Sequence, residues 1–339
     1  MPRRRVGQSI LALIMGFGFP VMAALDGEQS GRSAVIIPLP ETAPAPADNP
    51  TSPVRVDLGK QLFFDPRLSG DNTRSCAGCH LPDRAFTDGL PRARGAGGRQ
   101  LGRNTPTLLN VGFYSAYFWD GRAASLEAQA LVPIQSPDEM NQNLDELEKE
   151  LSAVPGYAAQ FRAAFGSEAT RANIAKALAA FQRTLISRNS PFDRFLAGDN
   201  NALSDEAKRG WELFKGDAGC IRCHNGPNLS DGKFYRIGVA FTDRGRGAVT
   251  GSKQDYYAFR TPGLRDVGKT GPYMHEGSFG TLTSVVEFYY RGVSAQSPDG
   301  LPLDIAPLLA QSYSEVASLV EFLESLSGET RDLSPPRLP

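Results

Sequence analysis

Two copies of one five-residue pattern constrain this chain more than anything else in it: Cys76-Ala77-Gly78-Cys79-His80 and Cys220-Ile221-Arg222-Cys223-His224. Together they use all four cysteines and two of the three histidines. The spacing lets two thiols form thioethers with the vinyl groups of one haem while the adjacent histidine binds its iron, which reads as two covalently bound haem c groups. Two other readings stay open on these residues alone. Zinc would want four closed ligands per site, and each segment offers three, in a haem-attachment order. A pair of tight disulfides would leave both histidines without a task.

The N-terminus agrees with the haem reading. Arg3, Arg4 and Arg5 precede an apolar run over residues 10–19 and then Val21-Met22-Ala23-Ala24, the pattern of an export signal with a small-residue cleavage site. Residues 1–24 are expected to be a signal peptide and the protein periplasmic, the side of the bacterial membrane on which haem c is attached. The apolar run is short for a membrane span and no second one follows, so no stable span is expected after cleavage; a retained anchor is the competing reading. Residues 25–53, with Pro38, Pro40, Pro44, Pro46 and Pro50, read as a loosely ordered leader.

About 290 residues remain, enough for two modest domains. The net charge of −1 gives no reason to expect nucleic acid or an anionic membrane as a partner. One cysteine pattern falls in each half, so two tandem cytochrome c-like domains are expected, 54–195 and 196–339. The boundary falls in the stretch 188–204, which holds the turn formers Pro191, Gly198, Asp199, Asn200 and Asn201. Helical periodicity dominates: Ile174, Leu178, Phe181 and Leu185 follow one face, as do Leu144, Leu147 and Leu151. Ser312 with Glu315 reads as a capping box ahead of Val316, Leu319, Val320 and Leu323, with Gly328 where a helix would end. The fold class is mainly α, with little β alternation.

Axial ligands decide the chemistry. Without the signal peptide, Met140 and Met274 are the only methionines and His275 is the only spare histidine, so at most one iron can have two histidines. A plain electron carrier wants both irons saturated, and this chain is short of ligands. Peroxide chemistry at an open position is favoured. On a helix, Leu282, Val285, Val286 and Tyr289 share one face, so Tyr289 points towards a core. On the residues alone, a buried structural tyrosine with a hydrogen bond is the other reading.

Three runs resemble the bacterial di-haem cytochrome c peroxidases. They are Leu58-Gly59-Lys60-Gln61-Leu62-Phe63-Phe64-Asp65-Pro66-Arg67-Leu68-Ser69, Phe118-Trp119-Asp120-Gly121-Arg122, and Thr261-Pro262-Gly263-Leu264-Arg265-Asp266 with Gly271-Pro272-Tyr273-Met274-His275-Glu276-Gly277. The resemblance spans roughly residues 54–327 in the expected order. The superfamily includes a MauG branch that oxidises a residue of a partner protein, and several positions resemble that branch. The loop 81–107, where peroxidases commonly carry a histidine that caps the first haem, contains none. The resemblance therefore implies that the haem held by His80 is open in the ferric protein. It also puts the sixth ligand of the haem held by His224 at Tyr289, as in MauG, with Met274 as the alternative.

The same resemblance implies a distal pocket at the first haem made by Gln129, Pro133 and Glu139, with Glu139 as the acid–base group and Gln129 orienting peroxide. Trp119 would pass electrons between the haems, Trp211 would be packing, and His275 would neighbour the ligands or a propionate. A calcium ion is implied between the haems, held by Asn104 and the carbonyls of Thr270 and Pro272. One departure is Ala218, where MauG has a surface-relay tryptophan. The expected function is a peroxide-dependent oxidoreductase that shares oxidising equivalents between both haems in a bis-Fe(IV)-like state and oxidises a Trp or Tyr of a partner protein. The first alternative is reduction of hydrogen peroxide to water with a small c-type cytochrome or cupredoxin as donor. The second is a non-catalytic di-haem electron carrier.

Overall fold

Caps and apolar spacing set ten helices among the described residues of the computed structural model, which are Met1, 36–292, 296–305, 313–330 and 333–339. The expected signal peptide from residue 2, the first part of the leader and Ser312 of the expected capping box lie outside these residues. α1 (Pro53–Phe64) opens on a proline, whose missing N–H costs nothing in a first turn. The Ser125 hydroxyl caps α2 (Leu126–Gln135) and the Asn143 side chain caps α3 (Leu144–Ala153). α4 (Pro155–Phe165) follows at once, and Thr170 caps α5 (Arg171–Gln182). Reciprocal Ser190–Asp193 bonds open α6 (Pro191–Leu196), and Ser204 caps α7 (Asp205–Lys215). α8 (Arg246–Thr250) is short. Thirty residues on, Thr281 and Ser284 box the start of α9 (Leu282–Arg291), and α10 (Tyr313–Glu324) comes last. Among the described residues the sheet content is one antiparallel pair, β1 (Phe234–Tyr235) on β2 (Phe259–Arg260), in the register Phe234↔Arg260 and Tyr235↔Phe259. The helix-rich, sheet-poor fold agrees with the sequence. No helix among the described residues is long and apolar enough to cross a membrane.

Two expectations fail locally. Leu185 is buried, but α5 ends at Gln182 and the residue lies in the turn beyond it. Gly328 does not cap α10, which ends at Glu324. Its N–H donates to Asp266 Oδ1 at 3.0 Å, and a Cβ there would sit 2.6 Å from the Arg188 carbonyl oxygen, so close approach explains the glycine.

Packing gathers the apolar side chains into two clusters. One is built from residues between Leu58 and Leu185, the other from residues between Phe192 and Leu326. Each is organised by a helix crossing at a glycine, a residue that weakens a helix interior by about 1 kcal/mol relative to alanine. In α1, a Cβ at Gly59 would lie 1.9 Å from the Ala177 carbonyl oxygen of α5. In α7, a Cβ at Gly210 would lie 1.9 Å from the Ser318 carbonyl oxygen of α10. Both helix pairs approach backbone to backbone, and only hydrogen fits between them.

A second repetition lies beyond each cysteine segment, its positions 110, 117, 121 and 126 recurring in step as 266, 273, 277 and 282. Asn110 and Asp266 both take a left-handed φ of 59°, a conformation their short polar side chains tolerate. Single bridges then pair Tyr117 with Ala123 and Tyr273 with Phe279, around Gly121 at φ 68° and Gly277 at φ 67°. α2 and α9 start at equivalent places. The register equates Trp119 with His275, Leu126 with Leu282, and Pro133 with Tyr289.

Candidate active site

The two cysteine segments fold alike. Residues Cys76–Gly78 and Cys220–Arg222 each form one 3-10 turn, and the N–H groups of His80 and His224 each donate to the first cysteine's carbonyl at 2.9 Å. The His80 ring then meets the Phe86 carbonyl through Nδ1 at 3.0 Å, and the His224 ring meets the Leu229 carbonyl through Nδ1 at 3.1 Å. A carbonyl accepts, so Nδ1 carries the proton in both rings and Nε2 keeps its lone pair for a metal. Burial lowers both imidazole pKa values and holds the rings neutral, as a ligand must be. All four cysteines are free, which removes the disulfide reading. Among the described residues no three His, Cys, Asp or Glu side chains gather to hold a metal ion. Two free thiols beside an oriented neutral imidazole fit haem attachment at each segment.

What lies across each segment differs. The Tyr289 phenol is raised above its ordinary pKa by burial first, and then by the neighbouring thiols of Cys220 and Cys223. The structure therefore brings Tyr289 to the second segment. Met274, the alternative, lies half-buried in the preceding turn at φ 72°. In the first half the equivalent of Tyr289 is Pro133, inside α2. Proline has no N–H, so the Gln129 carbonyl loses its helical donor, while the Pro133 carbonyl accepts the Met140 N–H at 3.2 Å. That bond turns the chain back so that Glu139 lies beside the first segment, where its charge helps raise the Cys79 thiol. Burial pushes the Glu139 carboxyl above the usual range, opposed by a hydrogen bond from Ser136 and by the charge of Arg122. Arg122 is a residue to which the sequence assigned no role. Its guanidinium stacks 3.5 Å above the Phe118 ring and bonds to Asp120, within the motif already singled out. Gln129 is half-buried one turn before Pro133.

Trp119 ties the two halves together. Its Nε1–H donates to the Asn104 carbonyl at 3.0 Å, and its own carbonyl accepts the Arg260 N–H at 2.8 Å. The Asn104 N–H in turn donates to the His275 carbonyl at 2.8 Å. The backbone of one residue, Asn104, thus joins Trp119 to its counterpart. The His275 ring stacks on Phe259 at 3.7 Å, and burial lowers its pKa to about 4. Its Nε2 is buried without a hydrogen-bond partner, a vacancy that suits a polar edge of a bound group. Asn104 Nδ2 donates to the Leu90 carbonyl at 2.8 Å, and Thr270 and Pro272 lie in the turn leading to His275. Salt bridges fasten the same loop: Arg92 to Glu276 at 2.5 Å, and Arg103 to Asp243 at 2.7 Å and Asp120 at 2.6 Å. Ala218 is buried, and Trp211 is enclosed by Phe192 and Phe322 with ring centroids 5.0 and 5.4 Å away.

Similarity to known proteins follows the same outline. The family described as di-haem cytochrome c peroxidase matches residues 53–201. The methylamine utilization protein MauG of Methylorubrum extorquens is 47% identical over 308 residues, covering 88% of this chain and 86% of that protein. The cytochrome c551 peroxidase of Pseudomonas aeruginosa is 37% identical over 340 residues, covering 97% of this chain and 94% of that protein. Among solved structures, a MauG-like protein associated with microbial copper homeostasis superimposes with a TM-score of 0.77 at 32% identity, over 86% of this chain and 95% of its own.

Proposed function

The chain belongs to the di-haem cytochrome c peroxidase family, which makes it an oxidoreductase of the peroxidase and MauG type working with two haem groups, and from that premise we propose a division of labour between them. In this reading the protein is periplasmic and holds one haem c in each of two tandem domains, through Cys76, Cys79 and His80 and through Cys220, Cys223 and His224. The first haem, held by His80, would supply the iron for hydrogen peroxide, and the second, held by His224, would face the partner protein that gives up electrons. Membership of an enzyme family displaces the non-catalytic carrier alternative.

The observation that carries this reading is the pairing of Pro133 with Tyr289. Both occupy the same turn of equivalent helices, and Tyr289 lies against the second segment. A phenol offers an oxygen ligand. A proline side chain offers no donor atom and would leave the corresponding position of the first haem to peroxide. When bound, the haems supply iron that takes two oxidising equivalents from one peroxide.

The chain supplies the proton chemistry. Glu139 accepts a proton from the inner peroxide oxygen and returns it to the outer one, which leaves as water. Its raised pKa suits an acid that must also act as a base. Gln129 hydrogen-bonds peroxide for this transfer. Trp119, bonded to both halves, is the bridge for electrons. Asn104 with the carbonyls of Thr270 and Pro272 is assigned to calcium, a set of oxygen donors that suits that ion. The electron source is assigned as a Trp or Tyr of a partner protein. Ala218 favours a second reading, in which a small cytochrome c or cupredoxin supplies the electrons and peroxide becomes water.

The deciding experiment adds stoichiometric hydrogen peroxide to the as-purified diferric protein and follows its visible and near-infrared spectra. A fast response of both haems without prior reduction is expected. Reaction only after partial reduction would overturn the open first site and the Tyr289 assignment.

A further inference from the structure

With alanine at position 218 and Trp211 enclosed by aromatic rings, neither residue offers a way from the second segment to a partner. The strand β1 does. Side chains alternate along a strand. The Phe234 ring fills the space against Gly121, where an added Cβ would lie 2.2 Å away, and Tyr235 points to the other side. There its hydroxyl donates to Asp231 Oδ2 at 2.7 Å. The Asp231 N–H donates to the Cys223 carbonyl at 2.8 Å, so the pair is anchored on the haem-attachment turn itself. The other carboxylate oxygen accepts the Lys233 N–H at 3.0 Å, which fixes the acceptor in place. Tyr235 is half-buried, neither sealed in the core nor fully exposed.

We propose that Tyr235 is the relay through which the second haem draws electrons from outside, with Asp231 as its proton acceptor. The inference rests on the peroxide reading above and deepens it. Tyr235 loses one electron to the peroxide-oxidised second haem while its O–H bond breaks and the proton passes to Asp231 Oδ2, leaving a neutral phenoxyl radical and a carboxylic acid. An exposed indole or phenol side chain of a docked protein then supplies one electron, and Asp231 returns the proton to the tyrosine oxygen. Two rounds consume the two oxidising equivalents of one hydrogen peroxide. A tyrosine hydrogen-bonded to a fixed carboxylate is suited to this, because oxidation makes the phenol a strong acid and the proton needs somewhere to go at once. Burial and the Asp231 hydrogen bond both raise the resting phenol's pKa, so it keeps its proton until it is oxidised. Tyr289 meets Cys223 too but is assigned to the iron.

The test uses the full holoprotein without any partner. Hydrogen peroxide is added, the optical spectrum is followed, and parallel samples are frozen for electron paramagnetic resonance or reacted with a nitroso spin trap, digested and mapped by mass spectrometry. A tyrosyl signal and a trap adduct on Tyr235 are expected in the wild-type protein. The signal is lost in Tyr235→Phe, and in Asp231→Asn its rise is slowed and its g values are shifted. Haem content and optical spectra of each variant, read on the same samples, report whether it is folded. An optical response in the wild type with the adduct on another residue, with no radical, or with an unchanged signal in Tyr235→Phe overturns the relay alone. No optical response in the wild type overturns the peroxide reading and the relay with it.

Discussion

In the first half α1 crosses α5 at Gly59, the His80 ring is held by a carbonyl, and the helix after the Gly121 turn carries Pro133. In the second half α7 crosses α10 at Gly210, the His224 ring is held by a carbonyl, and the helix after the Gly277 turn carries Tyr289. Crossing, ring anchor, left-handed turn and helix cap are shared. Among the side chains that diverge, the pair Pro133 and Tyr289 bears on the proposed roles, together with the segment behind it, where the first half adds Glu139. In the proposed reading the shared frame would place a haem in each half, and the residue at the Pro133 or Tyr289 position would decide whether that haem reacts or conducts.

The largest expected effect comes from erasing that divergence. Pro133→His gives the first site a donor where the second has Tyr289, and it should abolish the ferric protein's response to peroxide. A low-spin optical spectrum at the first haem would accompany the loss; an unchanged high-spin signal would break the equivalence of the two positions. Glu139→Gln keeps the site open but removes its base, and stopped-flow rates for peroxide should fall by about 10²–10⁴. The active form is the carboxylate, present above the pKa of Glu139 and lost as pH falls through it. Because burial raises that pKa, the acid limb of the wild-type rate should lie above the ordinary carboxyl value of 4.5 and vanish in the variant.

Stability should separate the halves less sharply. In the second half the Arg265 guanidinium, 2% exposed, pairs with Asp193 at 2.7 Å, and Asp193→Ala should cost about 3–5 kcal/mol by leaving a buried charge alone. In the first, Asp65→Ala takes an acceptor from Tyr157 and from Arg67, whose side chain is 21% exposed and can turn to water. A cost of about 1–3 kcal/mol is expected there from denaturant unfolding. Most alike should be Gly59→Ala and Gly210→Ala, at about 1–3 kcal/mol or more each, since both push a methyl group into a facing carbonyl. Unequal losses would show that the two crossings are not the same device.

Much of this was legible in the residues. The cysteine–histidine pattern is local, so its chemistry survives any fold, and helix starts carry their own Ser, Thr and Asn caps. The repeat was harder to see. Its evidence is conformational, in the matched φ values of Asn110 and Asp266 and in the bridges at Tyr117 and Tyr273, while the side chains between them have diverged: Trp119 answers to His275 and Pro133 to Tyr289. Only a few identities, such as Thr105-Pro106 with Thr261-Pro262 and Gly121 with Gly277, mark it in the sequence. Arg122 and the Tyr235–Asp231 pair could not be read from spacing, because contacts made through folded turns give each its part. Gly328 misled for the same reason: a glycine near a helix end looks like a cap until its backbone neighbour is known.

The loop that carries Arg92, Arg103 and Asn104 is held by residues far downstream, with Arg92 reaching Glu276 across 184 positions. A ribosome delivers the first cysteine segment long before it delivers those anchors. The pocket proposed to meet peroxide is therefore complete only once residues of the second half have packed onto that loop, so a first half folded alone would hold an unfinished site.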